Sequence, residues 1–247
     1  MSARNIWDAE VARNYDTPGR GMFAPEVVNP TVDRLVELAR GGPVLEFAVG
    51  TGRIAIPLAR RGLSVTGIEL SPAMIAQLRT KADEATLPVV HGDMATARAS
   101  GRYTLVYLIY NTISNLLSQD EQIECFRNAA RHLVAGGRFV VELGVPDPRG
   151  PRDGANATVF AAEPGYVGVD TYDLVNQRVD SHHFRYGESG EARLFRSPHR
   201  YIWPSELDLM GQLAGFSLES RHADWNGGEF ISESTSHVSV YTLSGEA

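Results

Sequence analysis

The sequence predicts an α/β fold: a doubly wound, Rossmann-like, mostly parallel seven-stranded sheet with helices on both faces and an antiparallel insert after the fifth strand. Three observations predict it. Apolar strand-like runs at 43–48, 64–69, 88–91, 104–110 and 138–143 alternate with helix-like segments, the spacing of right-handed βαβ crossovers. The first run, Val44-Leu45-Glu46-Phe47, empties into the small-residue turn Ala48-Val49-Gly50-Thr51-Gly52. The second ends on an acid, Glu69, nineteen residues after Gly50. A tight turn lets backbone approach a ligand closely, and a carboxylate at the next strand's end can hold a ribose diol.

Residues 1–42 are helical in pattern. Ile6, Trp7, Ala9, Val11 and Tyr15 form a short amphipathic piece, and Gly19-Arg20-Gly21 breaks it. Val28, Val32, Leu35, Val36 and Ala39 mark a longer helix stopped by Gly41-Gly42. In the alternating part, residues 43–145, helices are expected at 53–61, at 72–85 with Ser71 as cap and Pro72 in its first turn, and at 119–133 with Ile123, Phe126, Ala130 and Leu133 on one face. Cys125 belongs to the packing of that last helix. Pro146-Asp147-Pro148-Arg149-Gly150-Pro151 reads as a rigid exit from the core. Within the insert, 146–203, antiparallel strands are expected at 166–175, 178–186 and 192–203, turned at Asn176-Gln177 and at Gly187-Glu188-Ser189-Gly190. The last part, 204–247, holds a helix over 204–214 and two strands, 216–223 and 235–243, completing the core sheet.

Composition limits the function. A chain of 247 residues, 43% hydrophobic, buries a full core as one elaborated domain. The net charge of −7 argues against a nucleic-acid partner, since phosphate binding wants basic patches. One cysteine provides neither a disulfide framework nor a thiolate metal site. No stretch reads as a signal peptide or a bilayer span, so a soluble cytoplasmic protein with no membrane partner is expected, as a monomer or a homodimer.

Two cofactors compete for the glycine turn. Gly50-x-Gly52-x-x-Ala55 satisfies the dinucleotide pattern, which would make the chain an NAD-dependent oxidoreductase. Three further features favour a cationic, phosphate-free nucleoside, S-adenosylmethionine. Glu46 lies inside the first strand, four residues before Gly50. Gly92-Asp93-Met94 follows the third strand, an acid–apolar pair suited to an adenine ring. Tyr110-Asn111-Thr112-Ile113-Ser114-Asn115-Leu116 ends the fourth strand as a polar rim facing the turn.

On these residues the chain resembles the class I S-adenosylmethionine-dependent methyltransferases. Residues 46–52 match the family's E-x-G-x-G-T-G pattern, with Ala48 replacing its first glycine; Glu69, Gly92-Asp93-Met94 and the Gly136-Gly137-Arg138 turn match its later motifs. Thr104 stands where many relatives have Asp. The 110–116 segment and the antiparallel insert resemble glycine and bacterial amino-sugar N-methyltransferases. The resemblance implies that backbone at Ala48, Gly50 and Gly52 lies against the methionyl portion and that Glu46 sits near its ammonium. It further implies Glu69 on the ribose, Leu70, Met74 and Met94 around the adenine, Asp93 on the adenine amino group, and Tyr110 giving a backbone contact. Residues 1–42 would form a lid, bringing Tyr15 to the cofactor and Trp7 to the acceptor.

Methyl transfer from a sulfonium needs alignment and desolvation more than a nucleophilic side chain. A base, where one is needed, is sought among the histidines. His182 and His183 are adjacent on a strand and face opposite ways, so at most one enters a cleft. His199 leads into the late helix, and His222 and His237 lie in the final hairpin. His182 and His199 are the candidate catalytic residues, while no histidine spacing suggests a metal. Asn111, Asn115, Arg200 and Tyr201, with Trp7, are the candidate acceptor contacts. The expected activity is methylation of a nitrogen or oxygen of a small metabolite; a non-catalytic cofactor-binding protein is the remaining alternative.

Overall fold

The computed structural model describes residues 7–147, 156–187 and 190–245. Its main sheet has seven strands: β1 Val44–Phe47, β2 Val65–Glu69, β3 Val89–His91, β4 Tyr103–Leu108, β5 Leu133–Gly144, β10 Phe216–His222 and β11 Ser236–Leu243. They lie in the order β10-β11-β5-β4-β1-β2-β3. β1 to β5 are parallel, and β11 runs antiparallel to both β5 and β10.

Apolar side chains leave both sheet faces, as a doubly covered parallel sheet requires. Leu45, Phe47, Val106, Leu108, Phe139 and Val141 pack on one side with Phe126 of α5 Gln119–His132 and Leu207 of α6 Pro204–Leu213. Val44, Leu105, Tyr107 and Val140 pack on the other with Val32 and Leu35 of α2 Pro25–Ala39 and Leu58 of α3 Ala55–Arg60. Helix α5 begins with a reciprocal capping box between Ser118 and Glu121. Thr104, the departure from the resembled pattern, donates from its hydroxyl to the Ala39 carbonyl at 3.0 Å, tying the end of α2 to the sheet.

A second sheet follows the fifth strand: β6 Ala157–Glu163, β7 Tyr166–Asp173, β8 Arg178–Tyr186 and β9 Ala192–Arg200, antiparallel in that order. Strand β6 is absent from the sequence reading. The helix expected over 72–85 is shorter, α4 Pro72–Arg79, because Arg79 turns its guanidinium onto the Ala82 and Leu87 carbonyls and closes the chain there. Strand β5 starts at Leu133, ahead of the expected 138, with the Gly136 turn inside it and a register shift opposite. The N-terminal helix, α1 Ala9–Tyr15, starts at Asp8, whose carboxylate accepts from the Glu10 and Val11 amides. Most of the Pro146–Pro151 exit and the tip of the 187–190 turn lie outside the described residues. No described helix is long and apolar enough to cross a membrane.

Candidate active site

The glycine turn and the β2 carboxylate form one bonded unit. Glu69 accepts from the Gly50 amide at 2.8 Å through one oxygen and from the Ser71 amide at 2.7 Å through the other. It is 6% exposed, and burial raises its pKa against these two donors. Gly50 has φ +58, and the space a side chain would take there meets nothing nearer than a backbone oxygen at 3.9 Å, so the turn is open above it. Gly67 is closed by contrast: a Cβ there would lie 2.5 Å from Val49, which seats the turn on β2.

Three non-glycine residues take the left-handed backbone conformation at the carboxyl ends of β1 and β4: Ala48 (φ 53), Tyr110 (φ 57) and Asn111 (φ 59). Each costs roughly 1–2 kcal/mol, and such strain collects at functional sites. The Tyr110 amide donates to Glu142 at 2.7 Å, and the same carboxylate accepts from the Trp225 indole at 2.9 Å. Arg53 stands 5.2 Å over the Tyr110 ring.

Between these strand ends lies a cleft of about 190 Å³, lined by Trp7, Ala48, Glu69, Leu70, Asp93, Met94 and Asn115 among others. Seven of the sequence-predicted site residues therefore meet in one cavity. Leu70 is 39% exposed, an apolar side chain held open to the cleft, with its carbonyl 3.0 Å from His91 Nε2. Asn128 donates to the Met94 carbonyl at 2.8 Å and fixes the loop that carries Asp93 and Met94. Asn115 Oδ1 is buried and has no hydrogen-bond partner among the described residues. An orphaned acceptor in a cleft wall fits a ligand that brings a donor.

The other predicted cofactor residues sit around the cavity rather than in its wall. Met74 is buried in α4, its amide capped by Ser71. Glu46 lies under the turn, 4% exposed, accepting from the Tyr107 hydroxyl at 2.6 Å. Burial pushes the Glu46 carboxyl up to about 8, although the Tyr107 hydrogen bond and Arg53 pull the other way. Its folded value lies above the ordinary 4.5, so the native state holds a proton that the unfolded chain has lost. Stability from this residue is full below the lower value and falls as pH rises to the upper one. Melting curves from pH 5 to 8 are therefore expected to show wild type losing stability relative to Glu46→Gln, by up to about 1.4 kcal/mol per pH unit. Parallel curves would contradict this environment for Glu46.

Helix α1 is latched over the turn. Thr51 donates to Asp16 at 2.6 Å, and Lys81 of the segment after α4 pairs with the same carboxylate at 2.5 Å. Ser71 donates to the Trp7 carbonyl at 2.6 Å, and Arg53 to the Met22 carbonyl at 3.0 Å. Tyr15 is wedged edge-on between Trp7 and Phe23, and burial pushes its hydroxyl up to about 12. Asp16, Thr51 and Lys81 escaped the sequence reading because their partners lie 35 and 65 residues apart, with no motif linking them.

The register of the second sheet decides among the histidines. Val179 pairs with His199, and Gly168 with His183 and then Phe195. Paired residues share a face and neighbours alternate, so His183 and His199 share a face with Tyr166, Asp170, Ser181 and Ser197. His182 lies on the opposite face with Arg196, bonded to Thr171 at 3.0 Å. The candidate pair His182 and His199 is thus split between the two faces, and His183 shares the His199 face. Along β9, Leu194 and Arg196 stand in solvent while Ser197 is 6% exposed, so the His199 face is the covered one. Arg193 of this face reaches Glu10 of α1 at 3.0 Å, while Pro198, which alternates to the other face, lines the cleft. The covered face thus meets α1 at one end of β9.

Two candidate acceptor contacts, Arg200 and Asn111, have their side chains engaged elsewhere. Arg200 is 6% exposed and donates to Gln122 at 2.6 Å, Gln177 at 3.2 Å and Glu206 at 2.7 Å, binding the second sheet to α5 and α6. Tyr201 is joined through its backbone to Gln177 in the same junction. Asn111 Oδ1 accepts from the Gly144 amide at 2.5 Å, bridging the ends of β4 and β5.

Comparison with known proteins agrees with this geometry. Residues 44–137 match the family model described as a methyltransferase domain. The solved structure of the CcbJ methyltransferase from Streptomyces caelestis is 35% identical, superposes with a TM-score of 0.84, and is matched over 99% of this chain and 100% of its own. The cypemycin N-terminal methyltransferase of a Streptomyces species is 24% identical, matched over 95% of this chain and 96% of its own. The dTDP-3-amino-3,6-dideoxy-α-D-glucopyranose N,N-dimethyltransferase of Streptomyces fradiae is 29% identical, over 74% of this chain and 68% of its own.

Proposed function

This chain belongs to the S-adenosylmethionine-dependent methyltransferases, acting on a small molecule, and on that premise we propose that it methylates an amine nitrogen of a compact natural-product scaffold. The dinucleotide reading of Gly50-x-Gly52-x-x-Ala55 is withdrawn with it. S-adenosylmethionine, when bound, supplies a methyl group on a positively charged sulfur. The chain's part is to bind, align and dry the site. Glu69 would take the ribose hydroxyls and Asp93 the adenine amino group, with Leu70 and Met94 against the ring. The turn from Ala48 to Gly52 would carry the methionyl end, with Glu46 beneath it. Asn115 and Trp7 would meet the ligands from the rim and the lid.

The names of the relatives carry the choice of nitrogen, and the covered face of the second sheet holds bases that such an acceptor can use. Burial holds both His183 and His199 below the ordinary histidine range, so both are neutral near pH 7 and able to receive a proton. An amine must be neutral to attack, and a neutral imidazole can take up the proton that its ammonium form carries. Two relatives support the same class, one named a cypemycin N-terminal methyltransferase and one an amino-sugar N,N-dimethyltransferase. His199, next in the chain to the cleft-wall residue Pro198, is the better placed of the two base candidates.

The test is to incubate the enzyme with S-adenosylmethionine carrying a ¹³C methyl and a panel of amino sugars and short peptides. The expected product gives N-methyl carbon resonances. Resonances of O-methyl carbons alone would overturn the nitrogen assignment.

A further inference from the structure

We infer that Asp170, on the covered face of the second sheet, anchors the acceptor's protonated nitrogen, so that the acceptor is a basic amine bound as its cation and deprotonated in place by a neighbouring histidine. This rests on the nitrogen reading above and adds the charge state and the residue that recognises it.

Asp170 sits mid-sheet in β7, in register with Ser181 of β8, which is in turn in register with Ser197 of β9. Side chains on such a row stand about 4.5–5.5 Å apart. Ser181 donates to Asp170 at 2.6 Å, and Ser197 is hydrogen-bonded to His199 at 2.8 Å. One rung away, His183 is bonded to the Tyr166 hydroxyl at 2.7 Å. The face therefore carries one carboxylate and two imidazoles, His183 one rung along from this row and His199 bonded to its last serine.

That carboxylate has no ion pair among the described residues. The cations of the same face lie at its far end: Arg193 is paired with Glu10, and Arg185 lies over the Tyr166 ring at 5.9 Å. The other acids of this strand pair, Asp173 and Asp180, are exposed on the opposite face. A carboxylate that accepts from one hydroxyl has lone pairs left for a ligand cation. Both histidines feel the Asp170 charge, yet burial keeps them neutral, so they do not neutralise it themselves.

The step balances as follows. An N–H bond of the bound ammonium breaks and its proton goes to an imidazole nitrogen. The freed lone pair forms the new N–C bond as the C–S bond breaks, and S-adenosylhomocysteine leaves as a neutral thioether. The methylated nitrogen, positive again, is released, and the imidazolium returns its proton to solvent.

Two ring compounds of like shape test this on the intact protein saturated with S-adenosylhomocysteine, which fills the Glu69 and Asp93 end of the cleft. Piperidinium is cationic and tetrahydropyran is neutral. Piperidinium is expected to bind at least about tenfold more tightly, Asp170→Asn to abolish that preference, and Asp170→Glu to retain most of it. In turnover, Asp170→Asn is expected to raise KM for the amine while changing kcat little. S-adenosylhomocysteine affinity, unchanged in both variants, certifies the fold. No preference for the cation in wild type, or a preference that survives Asp170→Asn, overturns the inference. A methyl found on oxygen instead overturns the nitrogen reading, whatever Asp170 does.

Discussion

Glu69→Ala is expected to weaken S-adenosylhomocysteine binding by about 1–3 kcal/mol, a loss of roughly five- to 150-fold, measured by calorimetry. The carboxylate is held by the Gly50 amide on one oxygen and the Ser71 amide on the other. It is thereby fixed in the cleft wall with lone pairs left for two hydroxyl donors. Alanine removes the acceptors and also releases the turn, so both ligand contact and preorganisation are lost. Glu69→Gln separates them: it keeps one acceptor oxygen and the bulk, and is expected to lose less than alanine. Unchanged affinity in Glu69→Ala would remove this residue from the cofactor.

Arg200→Ala is expected to have the largest effect on stability, about 3–5 kcal/mol, because it leaves buried partners without their cation. Its guanidinium serves Gln122 on α5, Gln177 in the β7–β8 turn and Glu206 on α6. The Arg200 and Glu206 side chains are 7% and 15% exposed, so solvent does not repair the loss. For a chain of this size the melting temperature should fall by roughly 6–20 °C. Burial alone would raise the Glu206 carboxyl, but the hydrogen bonds from Gln177 and Arg200 hold it below the usual range. That contribution is present above the ordinary carboxylate pKa and is lost as pH falls, so the gap between wild type and variant should narrow in acid. Arg200→Lys, with a point charge in place of a fork of donors, is expected to recover only part. S-adenosylhomocysteine affinity, measured well below the melting point, should hardly change. A stable Arg200→Ala protein that binds cofactor but no longer turns over would restore Arg200 to the acceptor site.

Much of this was legible in the sequence, and what was not has a physical reason. The parallel core follows from alternation and from strand runs apolar on both faces, as Val44 and Leu45 or Leu105 and Val106 illustrate. The turn after β1, the Glu69 acid and Asp93-Met94 are local patterns, and each falls at the carboxyl end of a strand where topology brings them together. Roles that depend on pairing across the chain were harder. Arg200 has the composition of a ligand contact, and only Gln122, 78 residues away, shows that it ties two layers together. Asn111 looks like a rim residue until its oxygen is found on Gly144. His182 and His183 were correctly placed on opposite faces, but which face is covered depends on the strand register, and the register on where the β7–β8 turn lies. The same register brings Asp170 and Ser197 to one row, which no spacing along the chain announces.

A crystal structure of the S-adenosylhomocysteine complex tests the central claim most directly. The account predicts the ribose diol on Glu69, the adenine amino group against Asp93, and the sulfur turned toward the covered sheet face that carries His199 and Asp170. Adenosine bound away from Glu69 and Asp93, or a sulfur turned away from that face, would contradict it.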